Sequence, residues 1–159
     1  MSAGAGAPTG EALLTGPPGF GPDVEAEIVL SRDTFSIRYD MDRETGVISR
    51  RGHALEGQSL AGKIVYFPAV QGGVAAGWAF LALVGRGVAP AGVIFGRTNP
   101  VMIQGLVLAG IPAMHRVAPD PFTVLETGDR VRMRPGAGRV ELVARARGRG
   151  APGAATVER

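Results

Sequence analysis

Between residues 63 and 114 the apolar positions come in short runs, separated by glycine, proline and asparagine. Lys63–Phe67 (KIVYF), Ala91–Phe95 (AGVIF) and Ile111–Met114 (IPAM) are compact and nearly continuous. That is the pattern of strands buried on both faces of a parallel sheet. Ala75–Val84 is a longer apolar run and predicts a helix that is apolar on most faces, hence buried. Gly85-Arg86-Gly87 ends it with the glycine expected past a helix C-terminus. Pro100–Ala109 (PVMIQGLVLA) predicts a second helix, begun at Thr98 or Asn99 as cap with proline in the first turn. The resulting order, β-α-β-α-β, predicts an α/β core.

The flanks add strands at both ends. Val24–Ser31 (VEAEIVLS) alternates as a strand does. Arg130–Arg134 (RVRMR) and Arg139–Ala144 (RVELVA), joined by Pro135-Gly136-Ala137-Gly138, predict a terminal hairpin whose outer face carries alternate arginines. The expected organisation is a flexible Gly/Ala/Pro-rich segment 1–22, a domain over 23–144, and a disordered Arg/Gly-rich tail 145–159. One stretch resists a simple assignment: FSIRYDMDRETGVISRRGHALEG, residues 35–57, has too little periodicity for a helix and many chemically special residues. Long connections of that kind are functional or disordered.

Composition narrows the function classes. At 159 residues the chain has the length of one domain, and it contains no cysteine, so it offers no disulfide, thiol nucleophile or thiolate metal ligand. Two histidines, His53 and His115, argue against a self-contained metal site. An isoelectric point near 10.2 suggests nucleic acid, yet the excess charge lies in the tail. Before Arg145 the chain carries 13 basic and 13 acidic residues, which is not the basic body of a nucleic-acid reader. No run approaches the roughly 18–20 apolar residues of a membrane span, and MSAGAGAPTG lacks the charged and apolar regions of a secretory signal. A cytoplasmic protein is the expectation.

The candidate chemistry lies in four places. Gly72 and Gly73 join the first core strand to its helix, at the edge of an open α/β sheet where ligands gather. Their amides could hold a carboxylate or phosphate, or the pair could be turn geometry alone. Phe35–Asp42 (FSIRYDMD) concentrates Ser36, Arg38, Tyr39, Asp40 and Asp42. Arg38 suits a substrate carboxylate, and Tyr39 or Asp40 suits proton transfer, the alternative being surface ion pairs of little worth. His53 stands among Arg50, Arg51 and Glu56. Asn99 and Gln104 bring two amides to the start of the second helix, on the same sheet edge as the glycine turn.

Several stretches, in order and spacing, resemble the small swivel-domain subunit of the aconitase X family: SIRYDMDRETG (36–46), HALEGQSLAGKIV (53–65), PAVQGGVAAGW (68–78), RGVAPAGVIF (86–95) and NPVMIQG (99–105). The resemblance spans about residues 24–143. It implies a swivelling β/β/α domain that works as a heterodimer with a large subunit, removing water from a small hydroxy acid. It also implies that the large subunit holds an iron–sulfur cluster and this chain binds no cofactor or metal. Known members act on cis-3-hydroxy-L-proline or on phosphomevalonate. The first is the favoured substrate here, because no added cationic cluster in these loops suggests a phosphate site. Catalytic roles are expected at Tyr39, Asp40 and His53, and substrate contacts at Ser36, Arg38, Gly72, Gly73, Asn99 and Gln104. The chain departs from the family at two points. Gly73 stands where many members carry a serine proposed to abstract the proton, and Arg38-Tyr39-Asp40 replaces a Trp-Gly-Gly segment before the aspartate. A non-catalytic swivel domain that binds a metabolite or protein is the rival expectation, and self-association of the isolated chain is left open. Neither nucleic acid nor membrane is expected as a partner.

Overall fold

The computed structural model describes residues 10–147. In chain order the elements are β1 (Ala12–Thr15), β2 (Val24–Leu30), α1 (Ile37–Asp40), β3 (Met41–Asp42), β4 (Val47–Ile48), β5 (Ile64–Ala69), α2 (Val74–Gly85), β6 (Gly92–Arg97), α3 (Pro100–Ala109), β7 (Ala113–His115), α4 (Pro121–Val124), β8 (Arg130–Arg134) and β9 (Arg139–Ala144). Seven strands form one sheet in the order β1-β9-β8-β2-β5-β6-β7. The half from β2 to β7 is parallel, and the half from β1 to β2 is antiparallel. The β-α-β-α-β core and the terminal hairpin expected from the sequence are both present.

Alternation along the parallel strands explains their unbroken apolar character. Val65, Phe67, Val93 and Phe95 face α2 and α3, while Ile64, Tyr66 and Ile94 face the opposite side. There they meet Leu14, Ile28, Met114, Leu125, Val131, Met133 and Val140 in a second core. The sheet closes around that second core through the N-terminal segment. Thr15 and Ala118 exchange amide bonds of 2.9 and 2.8 Å, and Phe20 and Ala113 exchange two of 2.9 Å. The segment that composition marks as flexible to residue 22 therefore includes an edge strand, and its Leu14 is wholly buried.

Three arginines of the β8–β9 hairpin, all on β8, are occupied. Arg130 and Arg132 both reach Glu25, and Arg134 bridges Asp23 and Glu141. Hydrogen bonds from Arg130 and then Arg132 hold the Glu25 carboxyl below its usual range. A stripe neutralised in this way is not the free cationic face that phosphate backbones require.

Past β9, Arg145 and Ala146, which composition assigns to the tail, are tied to the buried carboxylate of Asp129. Ala146 N–H donates to it at 2.8 Å, Arg145 Nη1 at 3.1 Å and Glu126 N–H at 2.9 Å. Burial opposes ionisation of Asp129, but the two amides and then Arg145 outweigh it and lower its pKa. A carboxylate with a lowered folded pKa adds stability above its unfolded value, near 4, and loses it as pH falls through the folded value. Asp129→Asn is accordingly expected to cost about 1–3 kcal/mol at neutral pH, with the difference from wild type shrinking below pH 4. Denaturant melts across pH measure this; a difference that does not shrink in acid would refute it. The remainder of the expected tail, residues 148–159, lies outside the described residues.

Candidate functional site

The unassigned stretch after β2 folds as a cap over the carboxyl edge of the parallel strands. Phe35 forms a bridge with Val70: its N–H donates to Ala69 O at 3.0 Å, and its C=O accepts from Gln71 N at 2.8 Å. Its ring stacks on Phe67 with centroids 4.4 Å apart. Ile37, Met41, Ile48, Leu55 and Leu60 anchor the rest of the cap into the helix-side core. These anchors sit at no regular spacing, so the sequence alone shows neither the one-turn helix α1 nor the β3–β4 ladder.

That anchoring carries Ser36, Arg38 and Tyr39 to the glycine turn. A cleft of ≈ 310 Å³ is lined by Ser36, Arg38, Tyr39 and residues 72–76. Five of the sequence-derived site residues thus meet: Ser36, Arg38, Tyr39, Gly72 and Gly73. Tyr39 is 71% exposed. Arg38 leans toward the Tyr39 ring, with Cζ 5.5 Å from its centroid, and makes no ion pair among the described residues. The amides of Ala76 and Gly77 turn back to Gly73 O. Those of Gly73, Val74 and Ala75 open the helix with no side-chain cap, so they remain free for an anion.

Asn99 links the two loops. Its Oδ1 caps α3 by accepting from Met102 N at 2.9 Å, and its Nδ2 makes a long 3.5 Å contact to Gly72 O. It supports the turn and does not line the cleft. Gln104 lies a turn further along α3, in a separate groove with Val74, Gly77, Trp78, Val101, Gly105 and Leu108.

Asp40 and His53 face inward, unlike Tyr39. The Asp40 side chain is 1% exposed. Its Oδ2 accepts from Ser36 N at 2.8 Å and its Oδ1 from Arg50 Nη1 at 3.1 Å. Its backbone C=O accepts from Ser49 and Arg50 N–H. His53 Nε2 is 3.1 Å from Thr34 O, and Leu55 N–H donates to Nδ1 at 3.0 Å. A carbonyl only accepts and an amide only donates, so the proton sits on Nε2 and both nitrogens are engaged. These two residues hold the cap in place, with His53 Nε2 3.9 Å from Asp40 Oδ2, and neither lines the cleft of Arg38 and Tyr39. Asp40→Asn sets an amide donor against donors and is expected to cost about 1–3 kcal/mol; a thermal melt matching wild type would contradict this.

Folding also assembles a group that separation along the chain conceals. Arg32, Arg50 and Arg51 line one cleft of ≈ 430 Å³ with Asp33, Thr34, Gly52 and His53. Arg50 is engaged by Asp40, while Arg32 lies 4.0 Å over the Phe122 ring. Among the described residues neither Arg32 nor Arg51 forms an ion pair. No helix among them is long and apolar enough to cross a membrane.

A sheet half parallel and half antiparallel, closed on one side and helix-covered on the other, with its loops gathered at the carboxyl edge, is a mixed α/β domain that presents its candidate site on that edge. The chain belongs to the aconitase X swivel domain family, which it matches over residues 14–142. It is 35% identical over 121 residues to the phosphomevalonate dehydratase small subunit of Methanococcoides burtonii, covering 76% of this chain and 88% of that one. Identity to the Methanopyrus kandleri protein of the same name is 34%, over 75% of this chain and 87% of that one. Among solved structures, Thermococcus kodakaraensis aconitase X (holo-form) superposes with a TM-score of 0.76 at 32% identity, covering 82% of this chain and 97% of that one. The Methanococcoides burtonii and Methanopyrus kandleri relatives are both named as the small subunit of a dehydratase, which implies a large-subunit partner for them.

Proposed function

We propose that the chain works with its large subunit to dehydrate a small hydroxy acid carrying a phosphate, of the phosphomevalonate kind. The observation that carries this reading is the cleft where Arg38, Tyr39 and the free amides of Gly73–Ala75 converge. The amides and Arg38 hold the substrate carboxylate, and the cap excludes water on one side. Relatives named phosphomevalonate dehydratase small subunit support the substrate class. The preference for cis-3-hydroxy-L-proline rested on the lack of a cationic cluster in these loops. The cleft shared by Arg32, Arg50 and Arg51 removes that ground.

Dehydration takes a proton from carbon and releases a neighbouring hydroxyl as water. Gly73 has no side chain to accept the proton, so the base is Tyr39 or a group of the large subunit, and Tyr39→Phe distinguishes them. An iron–sulfur cluster would be ligated by the large subunit, this chain having no thiolate, and would supply a Lewis acid to the leaving hydroxyl. The reconstituted pair, assayed with phosphomevalonate and with cis-3-hydroxy-L-proline, should lose water from the first. Turnover of hydroxyproline alone would overturn the substrate class. In that assay Arg38→Ala should raise KM at least tenfold, a loss of about 1.4 kcal/mol or more, with the melting temperature unchanged. A KM equal to wild type would remove Arg38 from the site.

The missing side chain at Gly73 favours a second reading, a swivel domain that binds a metabolite or protein without catalysis. A stable pair that turns over neither substrate would support it.

A further inference from the structure

Neither α2 nor α3, 12 and 10 residues long, contains a charged residue. Their inner sides complete the core through Ala76, Ala79, Phe80, Leu83, Met102 and Leu106. Their outer sides expose Val74 at 66%, Trp78 at 59% and Leu108 at 57%, with Leu81, Val84 and Val107 beside them. A helix that faces water carries polar residues on that side, and contiguous exposed apolar surface of this kind marks an interaction site. The face is also shaped. Gly77 and Gly105 form the floor of a groove between the helices, walled by Val74, Trp78, Val101, Gln104 and Leu108 and enclosing ≈ 140 Å³. That is about the size of an apolar cavity that holds one benzene ring.

We infer that this face docks the large subunit, one of whose aliphatic or aromatic side chains fills the Gly77–Gly105 groove. The inference rests on the proposed function. Continuity with the cleft selects this occupant. Val74 walls both the groove and the cleft of Arg38, Tyr39 and the glycine turn. A polypeptide seated on the groove therefore reaches the cleft mouth. The large subunit has to reach it to complete the site, whereas a second copy of this chain seated there would cover it. Trp78 is the anchor of the face, because a large ring at the rim of a pocket contributes more binding than its neighbours.

The test is binding of the purified large subunit to wild type, Trp78→Glu and Val143→Glu. Val143 is exposed on β9, away from the helices. Trp78→Glu should weaken the pair at least about 30-fold, the range of a lost interface anchor, with its melting temperature kept; Val143→Glu should bind as wild type does. Wild-type affinity in Trp78→Glu overturns the inference alone. Failure of the wild-type chain to bind overturns the subunit reading and this inference with it. A homodimer of the isolated chain that Trp78→Glu abolishes, with the heteromeric pair unaffected, assigns the face to a second copy instead.

Discussion

Gly105→Ala is expected to destabilise the chain by about 2 kcal/mol or more, lowering the melting temperature by roughly 5–10 °C. A Cβ on Gly105 would lie 2.5 Å from Gly77 Cα, 2.7 Å from its O and 2.9 Å from its C. All three neighbours are backbone, so no rotamer change relieves the clash, and α2 and α3 must separate. Alanine regains about 1 kcal/mol of helix propensity, which offsets only part of the strain. Gly77→Ala supplies the contrast. Its Cβ would meet Val101 O at 3.3 Å and Gly105 Cα at 3.5 Å, contacts that slight adjustment absorbs. It is expected to melt within about 1 kcal/mol of wild type. Because α2 begins at the cleft, the Gly105 variant should also lose turnover in the reconstituted pair. Equal melts for the two variants would show that the close helix crossing does not exist.

The second large effect is expected at the glycine turn, where the two adjacent positions behave oppositely. Gly72 has φ +142°, a region L-residues rarely enter, and a Cβ there would lie 2.6 Å from Ala76 Cβ. Gly72→Ala should cost about 1–3 kcal/mol and lower kcat/KM at least tenfold, since relieving the strain reorients the amides that face the substrate. Gly73 has φ −112° and ψ −153°, and a Cβ there meets nothing within 4 Å. Gly73→Ser should therefore fold as wild type does and retain turnover, with its hydroxyl projecting into the cleft. Circular dichroism melts together with kinetics of the pair decide both. If Gly73→Ser unfolds while Gly72→Ala is silent, the turn has been placed wrongly. The position open to a side chain is the one where many family members carry serine, so glycine there reflects no steric demand of this fold.

Much of the sheet and helix order was legible because buried parallel strands and helices write continuous apolar runs into the chain. Pro100–Ala109 has the same limits in sequence and structure. The extent of helix burial was not legible: with no charge on α2, nothing in its sequence separates the core side from the side carrying Trp78 and Leu81. Within the site, Ser36, Arg38, Tyr39, Gly72 and Gly73 do share one cleft. Gln104 belongs to the apolar groove, and Asp40 and His53 brace the cap from within. Polar residue types in a polar stretch do not reveal which of them point inward; that follows from anchors such as Phe35 and Ile48, whose spacing obeys no period.

The sequence by itself determined the β-α-β-α-β core elements and the terminal hairpin, the absence of thiolate ligands and the flexible backbone of the glycine turn, because each depends on residues within a few positions of one another. Tertiary structure alone decided that Leu14 and Thr15 close the sheet, that Arg32 joins Arg50 and Arg51, and that the outer face of α2 and α3 stays uncovered. Those outcomes depend on which distant segments fill the same space, and packing of the whole chain is the only thing that selects them.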